Sequence, residues 1–127
     1  MSLVLDSGGV SALAANIARL REIRAKGDWP PLIPADVLAE SLTGDHRRDH
    51  LVNRLLRECM IRDVTEVIAR HAALLRYASR RKGISAVDAI VTATADHAGG
   101  GIVVTSDPDD VGALAANTIH PVRVAKV

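Results

Sequence analysis

Phenylalanine is absent from this chain of 127 residues, and Trp29 and Tyr77 are its only aromatics. A protein that holds single-stranded nucleic acid by stacking successive bases needs more rings than that. Any nucleic acid bound here is therefore expected to be held chiefly through its phosphates. Cysteine is almost absent too. Cys59 is alone, so it forms no intramolecular disulfide, and with no His or Asn context to mark a nucleophile it reads as a buried thiol. No apolar run reaches the length needed to span a bilayer. The N-terminal residues lack the charged start and long apolar stretch of a signal peptide. The expectation is a reduced, soluble, cytoplasmic protein with no membrane partner.

What is present is a balanced and apolar composition, 48% hydrophobic with a formal net charge of +1. A chain of this size buries most of its apolar surface in one compact domain, expected over residues 1–127. Its basic residues are thirteen arginines against three lysines. The guanidinium fork matches phosphate geometry, although a GC-rich genome yields the same bias.

Leu3-Val4-Leu5-Asp6 reads as a buried strand entering a tight turn at Ser7-Gly8-Gly9. Val10, Leu13, Ala14, Ile17 and Leu20 recur at helical spacing and predict one helix closed by Gly27. Leu32-Ile33 is a short extended piece, and Pro34 is placed to start a helix carrying Val37, Leu38, Ser41 and Leu42 inward. A third helix is predicted from Asp45 to Glu58, then a short strand around Cys59-Met60-Ile61. Asp63 is positioned to cap a longer helix ending at Arg80-Arg81-Lys82-Gly83. Ser85 opens the next helix, which stops at Gly99-Gly100-Gly101. Strand Ile102 to Thr105, a helix from Pro108 to about Asn117 and a strand from Pro121 to Val127 complete the order. Strands alternating with helices at this spacing imply βαβ units, an α/β fold with a mainly parallel sheet.

Four carboxylates stand out: Asp6, Glu40, Asp88 and Asp107. Each has a structural reading. Asp6 is placed to cap the helix after it. Ser85-Ala86-Val87-Asp88 fits a relaxed capping box. Asp107-Pro108 is an ordinary helix start, with Asp109 and Asp110 where the dipole favours negative charge. Glu40 lies well inside its helix, where no cap needs it, and reads otherwise as a half-exposed glutamate. Asp6 and Asp107 fall at the C-terminal ends of predicted strands, the edge of a parallel sheet where ligands bind. Acids gathered there repel one another unless a cation lies between them, which points to a hard divalent ion held by oxygen.

Other motifs carry less. His46 and His50 are one helical turn apart, but Arg47 stands where a zinc-protease motif has its Glu, so the pair reads as an exposed helix face. Gly99-Gly100-Gly101 lacks a following Gly-Lys-Ser or Gly-Lys-Thr and is a turn, not a P-loop.

The four acids recur within Val4-Leu5-Asp6-Ser7, then Pro34 through Glu40, then Val87-Asp88-Ala89-Ile90-Val91-Thr92-Ala93-Thr94-Ala95, then Val104 through Asp110. In that order and across essentially the whole chain, these segments resemble the PIN domain, and within it the ribonuclease toxins of the VapC type. The resemblance implies a three-layer α/β/α sandwich with a mainly parallel central sheet. It implies that Asp6, Glu40, Asp88 and Asp107 form the catalytic acidic set binding one or two Mg²⁺ or Mn²⁺ ions. Ser7 and Thr105 would be supporting polar neighbours and Asp110 a fifth acid. Gly8-Gly9 departs from relatives that place a small hydroxyl residue and then an apolar one there. The implied activity is metal-dependent cleavage of RNA as the toxin of a toxin–antitoxin pair, with a cognate antitoxin and a homodimer as partners. A stand-alone RNA-processing or DNA-end nuclease and a non-cleaving nucleic-acid-binding module are the alternatives.

Overall fold

The computed structural model describes Ser2–Val127. Its elements are β1 Ser2–Leu5, α1 Ser7–Ala14, α2 Ile17–Ala25, β2 Leu32–Pro34, α3 Val37–Ser41, α4 His50–Leu56, β3 Met60–Arg62, α5 Glu66–Ser79, α6 Ala86–His97, β4 Gly101–Thr105, α7 Pro108–Ala115 and β5 Val122–Lys126. The five strands form one sheet in the order β3-β2-β1-β4-β5, and every pair is parallel. Helices flank the sheet in the α/β/α manner that the sequence resemblance implied.

A parallel sheet covered on both faces needs strands apolar on both sides. Val4, Leu5 and Val103 accordingly have no exposed surface. From the central β1 the chain builds outward through β2 and β3, then returns to add β4 and β5 on the other side. The direction of winding therefore reverses between β1 and β4, and that is where an open α/β sheet leaves a crevice at its carboxyl edge. Leu5 pairs in register with Val104, so the residues that follow each strand emerge side by side.

Helix α6 is the inner helix. Val91 and Ala95 join the core around β1, β4 and α1, while Ala89 and Ala93 pack with Ile68, Ala72 and Leu75 of α5 and Leu114 of α7. Its buried threonines are satisfied locally: Thr92 Oγ1 donates to the Asp88 carbonyl at 2.9 Å and Thr94 Oγ1 to the Ile90 carbonyl at 2.8 Å. Near its C-terminus the buried Asp96 fastens three parts of the molecule together. Its carboxylate accepts the backbone N–H groups of Ile119 and His120 at 3.0 and 2.9 Å and meets His71 Nε2 and His120 Nδ1 at 2.8 and 3.0 Å. These bonds hold its carboxyl down at about 2, against the opposing effect of burial, which is the largest single influence.

The local structure departs from the sequence expectation at four places. The helix expected to run to Gly27 breaks at Ala15-Asn16, where Asn16 accepts from the Arg19 N–H at 3.0 Å and caps a separate α2. Pro34 ends β2 opposite Arg62 instead of starting a helix, and α3 is the short Val37–Ser41. The third helix is confined to α4, because Asp49 gathers the preceding turn, accepting from the N–H groups of Thr43 and Gly44 at 2.9 Å each and from the Thr43 hydroxyl at 2.8 Å. Thr65, not Asp63, caps α5, accepting from the Ile68 N–H at 3.2 Å, and the helix ends at Arg80 in the left-handed region with φ 56°.

Candidate metal centre

Strand β1 delivers Asp6 and strand β4 delivers Asp107 to the crevice, and the Asp6 N–H still reaches the Val104 carbonyl at 3.3 Å. Helix α6 brings Asp88 in its first turn, with Ser85 Oγ accepting the Asp88 N–H at 3.0 Å. One carboxylate oxygen from each of Asp6, Asp88 and Asp107 lies within 4.8 Å of the others. Asp6 and Asp88 are 3% and 8% exposed, whereas Asp107 is open to solvent, so the trio is a buried floor with one accessible wall.

Two readings of Asp6 hold together. Its Oδ1 accepts the Gly9 N–H at 2.8 Å and caps α1, and its carboxylate also belongs to the trio. Asp107, by contrast, makes no side-chain cap despite the Pro at the start of α7. Its backbone N–H donates to the hydroxyl of the fully buried Thr105 at 2.8 Å, which fixes the turn that carries the carboxylate.

Like charges this close interact with roughly 3 kcal/mol per ionised pair at an effective dielectric constant of about 20. Asp88 bears the consequence. Burial, then the charges of Asp107 and Asp6, push its carboxyl from 3.8 to about 6, against the lowering effect of the Ser85 hydroxyl. Oxygen donors that resist ionising together are the donor set a hard dication relieves, so Asp6, Asp88 and Asp107 fit a divalent metal ion.

The remaining expected residues are placed differently. Ser7 opens α1, half-buried, beside Asp6. Glu40 is exposed on α3 and outside the trio. Asp36, one turn earlier, is the residue whose two carboxylate oxygens are buried without a hydrogen-bond partner. Its pKa is raised, by burial first and by Glu40 last. Asp110 pairs with Arg81 at 3.0 Å, yet its charge reaches Asp88 and adds to the upward shift.

Gly8-Gly9 has a steric explanation that composition did not reveal. A Cβ on Gly8 would collide with the Ser106 hydroxyl, and one on Gly9 would lie 2.6 Å from the Val104 carbonyl oxygen. The two glycines let α1 start flush against the end of β4, which brings the Asp6 and Asp107 turns together.

The family model of the PIN domain matches residues 4–115. The chain belongs to the PIN domain family. PIN domains are nucleases and generally use a divalent metal, which agrees with the chemistry of the trio. Among solved structures, this PIN domain resembles DNA-bound VapBC from Salmonella typhimurium, with a TM-score of 0.73 at 18% identity over 99% of this chain and 98% of that one. VapBC2 from Rickettsia felis, bound to a promoter DNA fragment, gives 0.71 at 17% identity over 100% and 99%. VapBC-1 from nontypeable Haemophilus influenzae gives 0.70 at 13% identity over 99% and 98%. None of the curated protein sequences compared matches the chain. No helix among the described residues is long and apolar enough to cross a membrane.

Proposed function

We propose that this PIN domain is a metal-dependent endoribonuclease and the toxin component of a toxin–antitoxin pair, acting in the cytoplasm. The observation that carries the nuclease reading is the trio at the winding reversal: three acids within 4.8 Å, two of them buried, one shifted to about 6. Asp6, Asp88 and Asp107 would hold Mg²⁺ or Mn²⁺, and Glu40, exposed on α3 outside the trio, would act without binding the ion directly. A bound dication supplies Lewis acidity and reverses the sign of a pocket that would otherwise repel a phosphodiester.

The chain's own residues do the rest. The Gly9 N–H and the Ser85 hydroxyl fix the Asp6 and Asp88 turns, so the carboxylates are aimed before substrate arrives. Thr105 sets the Asp107 turn at the solvent side, where RNA enters. Asp88, its carboxyl raised by burial and by the charges of Asp107 and Asp6, would be held ionised as a ligand by a bound dication. Arg62, at the end of β3 on the same sheet edge, is placed to take a flanking phosphate.

The antitoxin half of the reading is supported by a groove beside α1, α2 and α4. Leu13, Ile17, Leu20, Leu51 and Leu55 form its apolar floor and Arg21 lies on its rim, enclosing about 230 Å³. It suits an apolar tail segment with acidic residues nearby. Leu42 lines a separate groove with Leu38, His46, His50 and Leu56, on another side of α4. Homodimerisation is part of the same proposal, and the exposed Val67, Leu74 and Tyr77 of α5 offer it more apolar surface than the N-terminal helices do.

The test is expression of the chain alone and with a small protein encoded beside it. Growth arrest by the wild type, its absence with Asp88→Asn, and rescue with co-purification of the neighbour are expected. Normal growth at levels giving detectable soluble protein sinks the toxin reading and leaves a stand-alone nuclease.

A further inference from the structure

Asp110 stands in the first turn of α7, three residues after Asp107. Residues at that spacing face the same side of a helix start. Its charge is felt at Asp88. By position it is a natural further ligand, yet it lies outside the group of three. Arg81 accounts for this. Its Nη2 meets Asp110 Oδ1 at 3.0 Å, and its Nη1 donates to the Asp109 carbonyl at 2.7 Å. The guanidinium is thus anchored to backbone independently of the carboxylate it holds. The chain leading to it is shaped for this: Arg80 turns left-handed, and the Arg81 N–H donates to Ser79 Oγ at 3.3 Å. A cation beside a helix N-terminus is opposed by the helix dipole, so these two contacts, not the dipole, explain its position.

We propose that Arg81 is a positioning residue that holds Asp110 away from Asp6, Asp88 and Asp107, so that a divalent ion meets three carboxylates and not four. The proposal rests on the metal reading of the trio. Its chemical sense lies in charge balance. Three carboxylates around one dication leave a single formal negative charge, whereas a fourth leaves two and turns away an anionic phosphodiester. Arg81 therefore weakens metal binding in exchange for substrate binding. Its planar fork reaches a carbonyl and a carboxylate at once, which the point charge of a lysine does not.

The experiment is a calorimetric titration of the full chain with Mn²⁺ alone, for wild type, R81Q, D110N and R81Q/D110N, each checked for folding by circular dichroism. Outer contacts of this kind change metal affinity about 10–100-fold, so R81Q is expected to bind Mn²⁺ about tenfold tighter. D110N should stay near the wild type, and R81Q/D110N should lose most of the gain. If R81Q does not fold, R81K serves, with a smaller but measurable tightening. Unchanged or weaker Mn²⁺ binding by the folded arginine variant overturns the proposal. So does an equal gain in R81Q/D110N, because Arg81 would then act through its field on the whole cluster. Wild-type protein that binds no Mn²⁺ overturns the metal reading itself, and this proposal with it.

Discussion

Replacing Asp88 with Asn should stabilise the metal-free protein at neutral pH while removing its activity. Asp88 is 8% exposed, and its carboxyl is raised from 3.8 to about 6. A group whose folded pKa is raised favours folding when protonated and opposes it when ionised. The stability it contributes is full below the unfolded value of 3.8 and is lost as pH rises through about 6. The full shift corresponds to about 3 kcal/mol at 1.36 kcal/mol per unit. Water reaching the trio past the exposed Asp107 screens part of this, so about 1–2 kcal/mol is the expected gain. Asn keeps the Ser85 cap, which uses only the backbone N–H of residue 88. In a domain of this size the gain appears as a melting temperature roughly 3–8 °C higher. The assay is thermal melting of wild type and D88N in EDTA from pH 7.5 down to 4.5. Taking the difference between the two proteins cancels titration of the histidines and other acids. The difference should be largest at pH 7.5 and shrink through pH 6 as the wild-type carboxyl protonates. A D88N protein no more stable than wild type at pH 7.5, or a difference that persists at pH 4.5, would refute the crowding argument.

Asp96→Asn should act in the opposite sense, losing about 2–4 kcal/mol at neutral pH because a buried, fully bonded carboxylate is replaced by an amide that cannot accept all four donors. Its depressed pKa means that this stability is present above 3.8 and lost as pH falls through about 2, so acid titration of D96N against wild type should show the two converging only below pH 3.8. Gly9→Ala should destabilise by about 1–3 kcal/mol, measured by urea unfolding, since the added methyl meets the Val104 carbonyl oxygen at 2.6 Å with no flexible side chain to yield. An unaltered urea midpoint would show that α1 does not need this close approach.

The parts of the fold legible in the sequence are those where one physical signal dominates. Leu3 to Leu5 and Ile102 to Thr105 read as buried strands because they are short and continuously apolar, and β1 and β4 lie there. Ser85 was legible as a cap because the hydroxyl and the N–H that donates to it lie three residues apart. The break at Asn16 was not, because apolar periodicity runs on through Ile17 and Leu20 across it. The turn gathered by Asp49 and the clasp around Asp96 depend on residues whose meeting is set by tertiary packing, with His71 and His120 lying 25 and 24 positions from Asp96. Of the acids picked from the sequence, Asp6, Asp88 and Asp107 are adjacent because the strand order places β1 beside β4, and no local pattern encodes that order. Glu40 and Asp110 share their motifs but fall outside the group within 4.8 Å; Glu40 holds an exposed helix position and Asp110 an arginine partner.

Single-turnover cleavage of a labelled structured RNA by the purified protein decides whether Asp6, Asp88 and Asp107 support RNA cleavage with a divalent ion. With Mn²⁺ or Mg²⁺ the wild type should cleave internally. EDTA should abolish cleavage, and D6N, D88N and D107N should each lose about a hundredfold or more while remaining folded. Cleavage that persists in EDTA, or that survives in a folded D88N protein at the wild-type rate, would contradict the account.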